Sequence, residues 1–289
     1  MDLDIAWNRL AARFVKRDIH QTIGRFYSVR KTYSLLQKSR QAFNSNFYEQ
    51  QLHLREKSLF LGLSPEISAR EICRRGVSFG LQLPSNLVRQ IYDYASQNLL
   101  YEPGFDDEFY VNTIQNGTLP NGRSVLRGLV KPPFKCQAIE DLTHDPVLLK
   151  IARNYLQYWP TQVTQHLTWT FVSNLPVHQQ KERFLPLSYH YDVAGYNFMT
   201  AYFYITDMDA QSGAHVMIER SHNKKPLHTL LAPWSGRQPD EVILDYYGKD
   251  SEILIEGKAG LGFVQDPSCF HKLLSPLKHR RLIFQIRYA

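Results

Sequence analysis

The chain has 289 residues, 43% of them hydrophobic and 21% charged, with 15 glycines and 15 prolines; this length can bury a sizeable core, and the composition excludes a disordered, collagen-like or low-complexity protein. No apolar run reaches the roughly 20 residues that a membrane-spanning helix requires, and Met1-Asp2-Leu3-Asp4 is unlike a basic-then-apolar signal, so the expectation is a soluble, unprocessed chain with no membrane span. Cys73, Cys136 and Cys269 are too few and too scattered for a disulfide framework or a CxxC zinc pair, which points to a reducing cytoplasm.

The net charge of +7 is concentrated at one end. Residues 1–57 carry eleven Lys or Arg against five Asp or Glu, which leaves 23 against 22 for the remainder. A basic region of this kind can meet nucleic acid or an anionic membrane, or it can be a solvated helical face, and scattered charge on helices favours the solvated face. Nucleic acid is therefore not the expected partner.

From Ile5 to about Gln37 the apolar residues Trp7, Leu10, Phe14, Ile19, Ile23, Phe26, Val29 and Tyr33 recur near helical spacing, predicting two amphipathic helices broken near Gly24. Leu83-Pro84-Ser85 reads as a helix start, with Ser85 as N-cap, for a helix carrying Leu87, Val88, Ile91 and Tyr92 toward Leu99. A third helical pattern runs from Asp145-Pro146 to Tyr158, and Pro160 prevents its continuation. Beyond Pro160 the texture changes to short β-branched and aromatic segments separated by Gly, Pro, Asn and Asp: Val163 to Val172, Met199 to Thr206, His215 to Glu219, Glu252 to Ile255 and Leu282 to Tyr288. With no internal repeat and no long linker, the expected fold is α+β and mainly β. It is a double-stranded β-helix (jelly roll) braced by helices, with residues 1–57 as a basic helical N-terminal extension and residues 58–289 as the body.

The sharpest local feature is Ser188-Tyr189-His190-Tyr191-Asp192, which reads as a strand end. Residues i and i+2 of a strand share a face, so His190 and Asp192 can present an imidazole nitrogen and a carboxylate oxygen to one point. His271, 79 residues beyond Asp192, can complete the set if its strand lies alongside. Two imidazoles and one carboxylate on a single face form the ligand set of non-haem iron(II) oxygenases. By spacing alone the pattern stays open to a surface or hydrogen-bonded histidine.

The stretch from Ser188 to Asp192, with Tyr202-Phe203-Tyr204-Ile205-Thr206-Asp207-Met208-Asp209, Ser212-Gly213-Ala214 and Glu219-Arg220-Ser221-His222 after it, resembles the phytanoyl-CoA dioxygenase-like family of iron(II)- and 2-oxoglutarate-dependent oxygenases. The tail Gly260-Leu261-Gly262-Phe263, Phe270-His271 and Arg281 to Tyr288 is similar too, and the likeness covers roughly residues 70–289. The resemblance implies His190, Asp192 and His271 as iron ligands and Arg281, ten residues after His271, as the partner of the distal carboxylate of 2-oxoglutarate. A guanidinium fork suits that role. Arg280 competes for it, because consecutive strand residues face opposite ways. Tyr189 and Thr200 are further candidates beside the cosubstrate, and His222 is a poor ligand candidate whose family counterpart is structural. The pattern is broken where Glu219-Arg220 stands in place of a Pro-Gly pair. Retention of a carboxylate at Asp192 points to hydroxylation rather than halogenation.

The resemblance thus implies Fe(II), 2-oxoglutarate and O2 acting on a small molecule that the sequence does not identify. Two other readings keep part of this pattern: a non-catalytic jelly-roll binder that uses its basic N-terminal helices, and a hydrolase with zinc in the same ligand set.

Overall fold

The computed structural model describes residues 22–43, 57–231 and 237–289; the first of the two predicted N-terminal helices lies outside the described residues. The chain turns at Gly24 and Arg25 and enters helix α1 (Tyr27–Ala42). Helix α2 (Pro65–Arg75) opens with the Ser64 hydroxyl accepting from the Ile67 N–H at 3.3 Å and Pro65 in its first turn, and it stops at Gly76, whose φ of 87° suits a residue without a Cβ. Strand β1 (Val77–Gln82) follows, then helix α3 (Ser85–Gln97). Ser85 is the first residue of that helix rather than its cap: Pro84 is extended, and its carbonyl takes the Leu87 and Val88 N–H groups.

The next elements are the short strands β2 (Leu100–Tyr101), β3 (Glu108–Phe109) and β4 (Arg127–Val130), then helices α4 (Gln137–Thr143) and α5 (Pro146–Leu156). Asp145 caps α5 by accepting from the N–H groups of Val147 and Leu148, and Gln157 ends it in the left-handed conformation. The chain continues through β5 (Val163–Thr170), α6 (Val177–Arg183), β6 (Met199–Tyr204), β7 (His215–Ile218), α7 (Leu227–Leu231), α8 (Asp240–Tyr247), β8 (Glu252–Ile255), β9 (Leu261–Gln265), β10 (His271–Leu273) and β11 (Arg281–Tyr288).

The architecture is α+β with mostly antiparallel strands. One sheet has eight strands in the order β1-β9-β6-β11-β5-β4-β2-β3, and a smaller one has the order β10-β7-β8. Strand texture begins earlier than Pro160, since β1 to β4 all belong to the large sheet; β2 and β3 are two residues each, and Gly80 and Gln82 interrupt the apolar and β-branched texture of β1. Among the described residues no helix is long and apolar enough to cross a membrane.

Alternation along β11 organises the molecule. Leu282, Phe284, Ile286 and Tyr288 enter the main core with Leu167 and Trp169 of β5 and Phe203 of β6. Ile91 and Ala95 of α3, Leu142 of α4 and Leu148 and Ile151 of α5 cover that face. Each Leu, Ile or Phe among them contributes about 1.5–3 kcal/mol when fully buried. The other face of β11, carrying Arg281, Ile283, Gln285 and Arg287, looks into a chamber of about 300 Å³ that residues of both sheets line.

Candidate metal centre

Two backbone segments are zipped together to make the site. The His190 N–H donates to the His271 carbonyl at 3.0 Å, the His271 N–H donates back to the His190 carbonyl at 2.8 Å, and the Asp192 N–H donates to the Pro267 carbonyl at 2.8 Å. The 188–192 segment forms only this single bridge with β10 rather than a regular strand. The bridge suffices to place His190, Asp192 and His271 together, with one ligand atom from each lying within 4.8 Å of the others. The imidazole rings of His190 and His271 have centroids 4.3 Å apart, and His190 Nε2 is 3.7 Å from Asp192 Oδ1.

The hydrogen bonds of the two histidines fix which nitrogen is available. His190 Nδ1 donates to the Ser188 carbonyl and His271 Nδ1 donates to the Cys269 carbonyl, both at 2.9 Å. A carbonyl can only accept, so the proton of each neutral ring sits on Nδ1 and the Nε2 lone pair is free for an ion. Burial, reinforced by His190, pushes His271 down to about 4, so its ring is neutral around pH 7. Burial opposes ionisation of Asp192, but the Arg287 guanidinium, with Nη2 2.6 Å from Oδ2, and the neighbouring histidines hold the carboxyl below its usual value. The carboxylate is thereby charged and oriented, and Oδ1 is left without a hydrogen bond among the described residues.

Arg281 and Arg280 diverge as alternation requires. Arg281 is 1% exposed and lines the chamber; its Nε and Nη2 have no hydrogen-bond partner among the described residues, and burial pushes it down to about 10. Arg280 is exposed on the opposite side, its guanidinium 5.2 Å from the Trp169 ring centre. Thr170, in register with Arg281 across β5 and β11, also lines the chamber with a buried, unpartnered hydroxyl. Thr200 is buried in register with both Gln265 and Arg287, beside the chamber rather than among its lining residues. Tyr189 points elsewhere: it packs with Tyr191 and Phe270, and its hydroxyl donates to Glu252. His222 also lies apart from the three ligands, its Nε2 donating to the Cys73 carbonyl at 3.1 Å.

Arg127, Thr170, His215 and Arg287 line the chamber without having been candidates in the sequence. Arg287 shares the odd-numbered face of β11 with Arg281, so the period of two offered a signal for it. His215 stacks on His271 with ring centroids 5.4 Å apart and lines the chamber, and no local sequence feature distinguishes it from a core histidine. The irregular Glu219-Arg220 turn has a structural answer: Arg220 adopts a left-handed φ of 61°, the backbone state that a glycine takes most readily, and its N–H donates to the Arg75 carbonyl at 2.8 Å. Arg75 in turn pairs with Glu219.

No family model and no curated protein sequence matches the chain. Among solved structures its fold is similar to that of the epimerase SnoN from nogalamycin biosynthesis in complex with Fe3+, alpha ketoglutarate and nogalamycin RO, at 14% identity and a TM-score of 0.52 over 78% of this chain and 82% of that one. It is also similar to SnoK, the non-heme alpha ketoglutarate dependent carbocyclase from nogalamycin biosynthesis, at 16% identity and a TM-score of 0.50 over 81% of this chain and 87% of that one. At these identities what the proteins share is the fold.

Proposed function

We propose that the chain is an iron(II)- and 2-oxoglutarate-dependent dioxygenase that hydroxylates a small molecule. Its two sheets form a jelly roll of the phytanoyl-CoA dioxygenase-like kind, preceded by helix α1. The observation that carries this reading is a complete two-histidine, one-carboxylate set opening onto the same chamber as a buried arginine whose Nε and Nη2 have no partner among the described residues. The donor set fits the metal: two neutral Nε2 atoms and one carboxylate oxygen on one side of an ion leave its other positions open. The arginine fits the cosubstrate, because burying a cation without a counter-charge is costly and a dicarboxylate relieves that cost. SnoN and SnoK, both described as non-heme alpha ketoglutarate dependent, support the cofactor assignment.

In this reading His190, Asp192 and His271 hold the iron, and Arg281 holds the distal carboxylate of 2-oxoglutarate with the Thr170 hydroxyl beside it. When bound, the iron and 2-oxoglutarate supply the oxidative chemistry, coupling conversion of the keto acid and O2 to succinate and carbon dioxide with insertion of one oxygen atom into a substrate C–H bond. The chain supplies placement. Ser188 and Cys269 carbonyls lock the imidazole tautomers, Arg287 keeps Asp192 ionised, and Phe184, Leu273 and Ile283 make an apolar part of the wall that keeps water from the reacting atoms.

The test is succinate release by the Fe(II)-loaded protein supplied with 2-oxoglutarate and O2. Arg281→Met should raise the KM for 2-oxoglutarate by about tenfold or more while metal affinity is kept. Because it removes a buried, unpartnered charge, it should not lower the Tm. An unchanged KM would remove Arg281 from the cosubstrate site, and wild-type protein that neither binds 2-oxoglutarate nor forms succinate would sink the whole assignment. Product analysis separates hydroxylation from the epimerisation and ring closure named for SnoN and SnoK.

A further inference from the structure

The chamber holds more positive charge than the proposed cofactors neutralise. Arg127, Arg281 and Arg287 all line it, and Asp192 is its sole carboxylate among the lining residues. A divalent metal ion and a dianionic keto acid cancel one another, which still leaves three guanidinium groups facing one carboxylate. Arg287 is committed to Asp192 and Arg281 to the keto acid. Two positive charges remain in excess, and Arg127 is the guanidinium that neither Asp192 nor the keto acid engages.

Arg127 is held in place but left unsatisfied. It stands on β4 in register with Thr170, and Thr170 is in register with Arg281 on β11. The three side chains therefore lie on adjacent strands of one sheet face, with the two arginine Cα atoms roughly 10 Å apart. The Arg127 guanidinium lies 4.7 Å from the centre of the Phe184 ring, which fixes its direction, and it has no ion pair or hydrogen bond among the described residues. The nearby acid cannot serve it. Glu102 is already taken by Arg123 at 2.5 Å, by Arg183 at 3.2 Å and by the Leu126 N–H at 3.1 Å. Partial burial, which Glu102 offsets only in part, lowers the pKa of Arg127 and adds to the demand for an anion in the chamber.

We propose that the primary substrate is an organic anion, carrying a carboxylate or phosphate that seats on Arg127, so that this residue sets substrate class and orientation while Arg281 serves the cosubstrate. The inference rests on the oxygenase reading above. A planar fork with free N–H groups at the chamber wall receives either anion through two parallel hydrogen bonds. The metal, being fixed, then selects which carbon of the substrate comes within reach.

The experiment is anaerobic calorimetric titration of the protein loaded with Fe(II) and saturating 2-oxoglutarate, with hexanoate, hexyl phosphate and hexanol as probes. The visible absorption of the metal–keto acid complex is followed in parallel. Wild type should bind at least one of the two anions saturably and hexanol at least about tenfold more weakly. Which anion binds tighter decides between carboxylate and phosphate. Arg127→Gln should weaken anion binding by about tenfold or more with the absorption unchanged, and Arg127→Lys, which keeps the charge but not the fork, should fall between. Equal binding of hexanoate, hexyl phosphate and hexanol overturns the proposal, as does an Arg127→Gln protein that binds the anions like wild type. Loss of the keto acid absorption in both Arg127 variants also overturns it, because Arg127 would then belong to the cosubstrate grip. Absence of that absorption in wild type would instead bring down the oxygenase reading, and this inference with it.

Discussion

Two aspartate–arginine pairs flank the segment that ends in His271, and they differ in what each leaves over. Asp266 is 0% exposed, and its carboxylate accepts from Arg30 Nη2 at 2.9 Å, the Ser268 N–H at 2.9 Å and the Tyr155 hydroxyl. Arg30, reaching in from α1, also donates to Asn197 Oδ1 and Ser268 Oγ. Asp192 spends one oxygen on Arg287 and keeps the other, 3.7 Å from His190 Nε2, without a donor among the described residues. The first pair consumes its hydrogen-bonding capacity inside the protein, and the second holds capacity open toward the chamber. A closed pair fixes a loop, and an open one is what an ion or ligand can bind. Asp266 thus anchors the turn from which the Pro267 carbonyl and His271 reach the site.

The comparison breaks if changes at the two pairs have similar consequences. At the open site, His271→Ala should lower metal affinity by more than about 100-fold, beyond what the loss of an outer hydrogen-bonding partner does, with little loss of stability; calorimetric metal titration and thermal melting read the two effects. At the closed pair, Arg30→Met should destabilise the fold by about 3–5 kcal/mol, because it strands a buried carboxylate. The sign of its pH dependence follows from Asp266. Burial opposes its ionisation, yet Arg30 and His222 hold the native carboxyl well below the ordinary value. In the wild type this stabilisation is complete above the unfolded pKa of about 3.9 and is lost only as pH falls through the lower native value. In Arg30→Met the carboxyl protonates more readily, so the penalty should be greatest near pH 7 and shrink toward pH 4. Urea unfolding at the two pH values checks this, and a penalty independent of pH would mean that Asp266 is not its source.

The smallest effect sharpens the contrast. Arg287→Gln should cost about tenfold in metal affinity, since it removes an outer partner of a ligand rather than the ligand. It should also raise the Asp192 pKa, so that protons compete with the metal at higher pH than in wild type. Metal titrations across pH 5 to 8 would show the affinity of the variant falling off first on the acid side. Superimposable profiles would remove Arg287 from the site's electrostatics.

Much of the arrangement was legible in the sequence because it follows from short-range rules. The HxD spacing places His190 and Asp192 on one side of an extended segment, Asp145-Pro146 marks a helix start, and alternating apolar residues give β11 one buried face. His271 could be named from the residues only on the condition that its strand lies alongside His190, since the bridge that joins them is a long-range pairing with no local signature; the resemblance supplied the rest. Arg30 reads in the sequence as one more basic residue on a helix, and its burial is set by Asp266, far along the chain. Arg127 sits on a four-residue strand that shows no pattern of its own; its place beside Thr170 and Arg281 comes from sheet register alone. Basic residues that look interchangeable in the composition therefore divide into a brace, a carboxylate partner and two unpaired cations.

Anaerobic titration of Fe(II) and 2-oxoglutarate into wild type and His190→Ala, read by visible absorption and by the heat of metal binding, tests the central claim most directly. A charge-transfer band that saturates with one metal ion per chain is expected in the wild type and is expected to be absent from a folded His190→Ala protein. No band in either protein, or the same band in both, would contradict it.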